Sequence, residues 1–407
     1  MPTTPAMPVR RARWAVAALF WLNGATLSSM MPRYPEIRDN LDLTNTFFGL
    51  AVAMGPAGGL LAGIFTARVM RASTSARVAT WAQVMQILLF CCVLNAPHAW
   101  LFALALVAMS ATDVYTDIAM NAHGMRVQTL YGRSINNSFH AWWSLGAVCG
   151  GLLGAWFAGI HLALPWHALV AAAIMLAVNL SLRPFLLKGP DPAVVEEHEP
   201  AAAGSRIPRQ LMLHLLALGA IGAFAASIED SGFTWSALYL RDSLHATPAV
   251  AGLGIVCLVG AQTVGRFAGD RMVDALGDRN TARLGCTIAT VGMGLALAFP
   301  SVPLTLLGFA CAGWGVATLV PAVYYTAHHL PGLPAGSGLT IVNWMLRLTF
   351  FVGPPLVGTL SDHLSFRAAL TVMPLATLMI VLLAGFLARR RTEEFAEPVP
   401  AQPDLTA

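Results

Sequence analysis

Lysine is all but missing from this 407-residue chain: Lys188 is the only one. A phosphate-binding Gly-x-x-x-x-Gly-Lys-Ser/Thr loop needs a lysine at a fixed place after its glycines. The sequence has no such loop, which argues against ATP-driven work by this chain alone. Charge of either sign is scarce. Asp, Glu, Lys and Arg make up 11% of the residues, against about 25% in a soluble protein whose surface must be wetted. That is too little to cover a water-facing globule. The formal net charge of +4 is modest and gives no sign of a nucleic-acid partner. The six cysteines, Cys91, Cys92, Cys149, Cys257, Cys286 and Cys311, lie in apolar runs and form no Cys-x-x-Cys pair. They support neither a zinc site nor a disulfide framework and read as buried small hydrophobes. Zincin, nucleophile-elbow and haem signatures are missing as well. The sequence therefore offers no catalytic residue, no metal site and no cofactor.

Hydrophobic residues, by contrast, make up 57% of the chain. They gather into segments of the size a spanning helix needs, about 20 apolar residues. The segments fall at about 12–32, 46–67, 77–96, 99–125, 135–159 and 165–187, and again at about 210–240, 248–269, 281–300, 303–328, 337–360 and 367–388. This predicts an all-α membrane protein of twelve transmembrane helices in two pseudo-symmetric six-helix bundles, 1–187 and 210–407, the second ending in a short tail. Between them, 188–209 holds Lys188, Asp191, Glu196, Glu197, Glu199, Arg206 and Arg209 among Pro, Ala and Gly, and reads as a solvated, flexible connector. The second span of each half opens alike, with Phe48-Gly49-Leu50 and Ala251-Gly252-Leu253. The first span follows Arg10, Arg11 and Arg13, as a signal peptide would, but it runs too long and many spans follow it.

Arginine placement predicts orientation, because cytoplasmic segments collect Arg and Lys. With the N-terminus inside, the inner segments hold nineteen basic residues and the outer ones four, namely Arg33, Arg38, Arg241 and Arg367. Both termini are then cytoplasmic, as an even number of spans requires. Glycines recur every fourth residue inside spans, as at Gly146, Gly150 and Gly154, a spacing that lets helices approach closely in lipid.

An ionisable group inside a membrane costs at least about 2.5–3.5 kcal/mol, so each one is a functional candidate. Asp113, Asp117 and Asn121 sit four apart in the fourth span and share one helix face. An acid there can carry a proton; a structural ion pair is the other reading. His140 and Trp143 lie in the fifth span, and His140 can donate to a solute hydroxyl or pair with Asp117. Glu229 and Asp230 lie in the seventh span. Neighbours on a helix point about 100° apart, so Glu229 is expected to face the site and Asp230 to cap or pair. Asn343 and Arg347 are four apart in the eleventh span, and Arg347 needs either an internal carboxylate or an anionic solute. Asn23, Gln83 and Gln86 add neutral hydrogen-bonding groups. Amides and aromatic faces of this kind suit a polyhydroxylated solute.

The turn Gly265-Arg266-Phe267-Ala268-Gly269-Asp270-Arg271-Met272-Val273-Asp274-Ala275-Leu276-Gly277-Asp278-Arg279 resembles the Gly/Asp/Arg signature of the major facilitator superfamily. That resemblance implies the superfamily's fold and a gating latch at Gly269, Asp270, Arg271, Asp274 and Gly277, closing the cytoplasmic side in the outward-open state. The matching loop of the first half carries Ala67 where the signature has its acid. Asp117-Ile118-Ala119-Met120-Asn121, Ser227-Ile228-Glu229 and Phe139-His140-Ala141-Trp142-Trp143-Ser144-Leu145-Gly146 are similar to motifs of the bacterial fucose-permease-type branch and its relatives. This likeness implies proton coupling at Asp117. Fucose permeases carry an acid in span 1, where this chain has Asn23.

The expected function is secondary active transport by alternating access. A small polar, sugar-like solute would move by proton symport across a bacterial inner membrane, through a chain that can act as a monomer in the lipid bilayer. Asp117, Glu229 and Asp113 are the expected proton-coupling residues. Asn23, Asn121, His140, Trp143, Asn343 and Arg347 are the expected solute wall. A proton-driven drug or metabolite exporter of the same fold is the alternative. A membrane sensor or integral-membrane enzyme would need a signalling domain or catalytic cluster that the sequence does not show.

Overall fold

The computed structural model describes residues 6–132, 135–189, 191, 208–330 and 337–389. Most of the expected connector, 192–207, and the tail from 390 onward lie outside the described residues, as does the Ala67 side chain. The first half comprises α1 (Met7–Met30), the short α2 (Tyr34–Asn40), α3 (Asn45–Ala72), α4 (Ser75–Leu94), α5 (Ala99–Tyr131), α6 (Asn136–Gly159) and α7 (Leu164–Leu182). The second comprises α8 (Arg209–Asp242), α9 (Pro248–Ala298), α10 (Val302–Val316), α11 (Leu319–His328), α12 (Ser337–His363), α13 (Phe366–Ala369) and α14 (Val372–Leu383).

Among the described residues, ten helical segments are long and apolar enough to cross a membrane. Two features separate that number from the twelve spans expected. First, α1 is not among the ten. It carries Asn23, Thr26, Ser28 and Ser29, all buried. A helix enclosed by other helices has a polar interior to serve and need not be apolar all round. Second, α9 is counted once although it breaks at Gly277, whose φ of 79° and ψ of 163° are not helical. A straight run from Leu258 to Ala289 would measure about 45 Å at 1.5 Å per residue. Yet Leu258 packs on Gly313 and Ala289 on Gly315, two neighbouring positions of α10. The chain therefore folds back on itself at Gly277.

Two of the expected spans are interrupted. The 303–328 segment breaks between α10 and α11, and 367–388 breaks between α13 and α14. Each break has a proline behind it. Pro321 has no N–H to give to Ala317, four residues earlier, and Pro374 has none for Leu370. By contrast, α12 stays helical through Pro354 and Pro355.

The glycine spacing in α6 meets α1. A Cβ on Gly146, Gly150 or Gly154 would overlap the backbone carbonyls of Trp21, Ala25 and Ser29 in turn, and one on Gly24 would overlap the Trp143 carbonyl. The two helices touch backbone to backbone. The next face of α6 looks the other way: Gly151 packs against Val256 of α9, and Gly159 against Ala249. Thus α6 is welded to its own half on one side and meets the second half on the other.

One face of the bundle gathers the described chain ends. Arg13 donates to the Tyr131 hydroxyl at 2.9 Å, and the Arg279 N–H donates to the Ala388 carbonyl at 3.2 Å. On this terminal face the start of the connector is tied to the first half. Asp191 accepts from Ser75 N and Oγ, and Arg126 donates to the Lys188 and Gly189 carbonyls.

On the opposite face the two halves meet tightly. Arg38 pairs with Asp242 at 2.7 Å, and Arg241 with Asp39 at 2.8 Å. Asp362 accepts from Asn45 N at 3.1 Å and from Thr46 N and Oγ1 at 2.8 and 2.7 Å. Burial alone would lower the Arg38 guanidinium, but Asp39 and Asp242 outweigh it and hold the group above its ordinary value. Beneath these charges Phe48 of α3 meets Trp235 of α8 edge to face, 5.9 Å between centroids, with Tyr34 on its other side. Burial, with Asp230 nearby, raises the Tyr34 phenol above its usual value.

The α1–α6 contact is testable. Gly146→Ala forces a methyl into the Trp21 carbonyl, and overpacking of this kind costs about 1–3 kcal/mol. Gly63, with open space where its Cβ would stand, tolerates alanine. Melting curves in detergent should show Gly146→Ala several degrees below the parent and Gly63→Ala at or above it.

Candidate functional site

Four helices of the first half converge on Asp113. Its Oδ1 accepts from Asn23 Nδ2 of α1 and from Gln86 Nε2 of α4, both at 2.8 Å. The same Asn23 nitrogen lies 3.2 Å from Gln86 Oε1. Asn23 Oδ1 in turn accepts from Trp143 Nε1 of α6 at 2.7 Å. The close α1–α6 packing brings that indole within reach. Gln83 extends the polar core by donating to Thr26 Oγ1 at 3.2 Å. Asn23, Gln83 and Gln86 are buried, and Asp113 and Trp143 half-buried. The carboxylate is thus met by neutral amides, and among the described residues no ion pair holds it.

Asp117 and Asn121 follow on the same face of α5, one and two turns nearer the terminal face. Asp117 is exposed, and Asn121 Nδ2 donates to its Oδ1 at 3.0 Å. His140 is exposed too and stands edge-on to Phe20 at 5.3 Å. It is not hydrogen-bonded to Asp117; the charge it feels is that of Arg266.

Arg266 belongs to α9, in the second half. Its Nη1 donates to Ser144 Oγ of α6 at 3.3 Å, and its Nη2 lies 3.8 Å from Glu229 Oε1. Gln262, one turn away, donates to that same Glu229 oxygen at 2.8 Å. Ser144 is one turn from His140 and bonds its carbonyl. His140, Ser144, Arg266, Glu229 and Gln262 therefore form one cluster across the seam between the halves. Farther round the second half, Tyr324 donates to Asn343 Oδ1 at 3.3 Å. Arg347 is exposed, near the Tyr324 phenol, and has no carboxylate partner among the described residues.

The two adjacent acids of α8 part company, as their angular separation predicts. Glu229 is half-buried and bonded to Gln262. Asp230 is 9% exposed and hydrogen-bonds the Thr234 side chain one turn on, while its Oδ2 has no hydrogen-bond partner among the described residues. It lies one turn below Trp235, under the closed seam, where a Cβ on Gly353 would approach that oxygen to 3.2 Å.

The model of the Major Facilitator Superfamily matches residues 216–405. An uncharacterised transporter of Sinorhizobium fredii, y4wD, is 27% identical over 91% of this chain and 97% of its own length. Among solved structures, a bacterial homologue of the human lysosomal transporter Spinster, in an inward-facing, occupied conformation, superposes with a TM-score of 0.68. It shares 14% identity and covers 94% of this chain and 96% of its own. The D-xylose–proton symporter gives a TM-score of 0.68 at 15% identity, over 96% of this chain and 98% of its own. The chain is a membrane transporter of the major facilitator fold. It is not an enzyme.

In this transporter the segment expected to form the latch lies on the terminal face. Gly277 supplies the fold-back of α9, and Gly269 packs on Thr318 of the turn before α11. Asp270, Arg271 and Asp274 are exposed, and no ion pair joins any of them to another of the described residues. Arg266 opens the same sequence signature, but its side chain reaches the cross-half cluster instead. Together with Gln262 it is a site residue that sequence reading passed over. The signal was there, since Gln262 and Arg266 are four apart at the end of an apolar run.

The shared carboxylate predicts coupling between its two donors. Asn23→Leu and Gln86→Leu, made singly and together, should be non-additive by about 0.5–3 kcal/mol, as for residues in one network. Unfolding in detergent measures it, and additive losses would refute the shared site.

Proposed function

We propose that this transporter is a secondary carrier of a small polar, sugar-like solute, working by alternating access with proton symport. On this reading α1 and both limbs of α9 are spans. The chain then crosses twelve times in two bundles, 1–187 and 210–407, joined by 188–209. The nineteen-to-four bias of basic residues supports a cytoplasmic terminal face, in a bacterial inner membrane. The state described here is then closed to the outside by Arg38, Asp39, Arg241, Asp242 and Asp362. Exposed Asp117, His140 and Arg347 line a cleft open to the cytoplasm.

One observation carries the reading. A half-buried carboxylate, Asp113, is held by neutral amides from two helices and linked through Asn23 to Trp143, beside the α6 residue that touches the second half. A solute that bonds Asn23 or Trp143 competes directly with Asp113 for its partners. Loading of a proton on Asp113 or Asp117 is thereby tied to loading of the solute. His140 and Asn121 complete one wall, and Asn343 and Arg347 the other. Glu229, bonded to Gln262 and 3.8 Å from Arg266, passes the charge state of the acids to the cross-half seam. In the other state the Gly269–Gly277 segment would close the cytoplasmic side. Among distant structural neighbours, the D-xylose–proton symporter lends support to sugar and proton as cargo.

The experiment is uptake of radiolabelled sugars and sugar-like solutes by reconstituted vesicles under an imposed pH gradient, acid outside. The parent should accumulate its solute. Asp113→Asn should cut gradient-driven uptake at least about tenfold, the scale set by losing one charged hydrogen-bonding group, and exposed Asp117→Asn should cut it in the same direction. Solute exchange without a gradient should survive in both. Unchanged accumulation in both variants would remove the proton role.

A further inference from the structure

One thirteen-residue stretch of the first half has a counterpart in the second, identical at six positions. Arg38-Asp39-Asn40-Leu41-Asp42-Leu43-Thr44-Asn45-Thr46-Phe47-Phe48-Gly49-Leu50 matches Arg241-Asp242-Ser243-Leu244-His245-Ala246-Thr247-Pro248-Ala249-Val250-Ala251-Gly252-Leu253 at Arg, Asp, Leu, Thr, Gly and Leu, in the same order and spacing. The backbone repeats with them. Asp42 and His245, at equivalent places, both adopt left-handed φ, 48° and 52°. Thr44 and Thr247 each stand at the N-cap of the helix that follows. Gly49 and Gly252 each make the close approach to the opposite half, to Pro354 and to Ala155.

The charges at the head of this repeat form a closed ring. Arg38 holds Asp39 beside it and Asp242 across the seam, both at 2.7 Å. Arg241 holds Asp242 beside it at 2.7 Å and Asp39 across the seam at 2.8 Å. Each guanidinium touches both carboxylates, and positive and negative groups alternate round the ring.

We propose that the Arg38–Asp39–Arg241–Asp242 ring is a two-fold charge clasp that holds this face shut, and that its parting is the step that opens the face. The proposal rests on the alternating-access reading above. Its chemistry suits a reversible catch. Within the ring, parting the halves breaks only the two cross-half contacts, and each arginine keeps the aspartate next to it in sequence. No charge is stranded in either state, and a stranded charge is what makes breaking a buried ion pair costly. The groups are partly exposed, so each contact is weak alone, and salt screens them. Asp362, which bonds the α3 N-terminus across the same seam, is not a member of the ring and is untouched by substitutions in it.

The test is a distance measurement in reconstituted vesicles, with spin labels on Asn40→Cys and Ser243→Cys in a background whose six native cysteines are alanine or serine. Both positions are exposed and equivalent in the repeat. With the ring intact the short distance should dominate. Asp39→Asn with Asp242→Asn should raise the open-to-closed ratio about three- to tenfold, the scale of two exposed ion pairs. Molar salt should shift the parent the same way. Full inversion, Arg38→Asp, Asp39→Arg, Arg241→Asp and Asp242→Arg, restores every attraction and should restore the parent ratio. If the neutralised protein does not fold, Asp39→Asn alone serves, with a smaller shift in the same direction. An unchanged ratio on neutralisation, or an inverted ring that stays open, overturns the clasp while leaving alternating access intact. If no long-distance population forms in any variant, with or without solute, alternating access fails and the clasp with it.

Discussion

An amide is a neutral donor, and two amides from different helices are what meet the Asp113 carboxylate. Lipid offers nothing to a polar group, so each one set at mid-membrane must find its partner inside the bundle. Arginine would have satisfied the acid more strongly and locked it. Asn23 and Gln86 satisfy it in a way that a hydroxylated ligand can imitate. Around this choice the rest of the first half is arranged. The carboxylate needs α1 beside α5, the second amide needs α4, and the indole that steadies Asn23 needs α6 pressed against α1 closely enough that only glycine fits.

Much of this could be read from the residues alone, because lipid makes sequence unusually legible. The apolar runs marked where helices stand, and the four-residue spacing of Asp113, Asp117 and Asn121 put them on one face. Gly146, Gly150 and Gly154 announced a close helix contact. What periodicity could not supply was which face met which neighbour. Asp230 differs from Glu229 only by a 100° turn, and tertiary packing alone decided that Asp230 would be buried under the seam. Arg33 was counted as a loop charge, yet it is 1% exposed, held by Glu36, His167 and the Leu162 carbonyl. Arg266 sat in a motif whose neighbours face the terminal side, and only the rotation of α9 turned it toward Ser144. The breaks before Pro321 and Pro374 were visible as prolines, but an apolar run with a proline in it can bend or restart, and composition does not choose.

The duplicated architecture has unequal contents. The loops after α1 and at the end of α8 match in sequence, turn conformation and charge. The polar interiors do not match. The first half places Asp113 among amides on α1 and α4, whereas the second places Glu229 beside Gln262 and an arginine. Contacts at the seam are constrained by the need to fit a near-copy of themselves. Groups deeper in are free of that constraint and have diverged.

The backbone-to-backbone contact between α1 and α6 limits how the molecule can deform. Side chains that interdigitate can change rotamer and slide, but carbonyls seated against glycine Cα atoms have no rotamers to change. In any rearrangement the pair is constrained to move as a single stiff beam, with the Asn23–Trp143 bond kept inside it. Relative displacement of the two halves falls instead at the contacts between them, α6 on α9 and α3 on α12, and leaves the geometry around Asn23 unchanged.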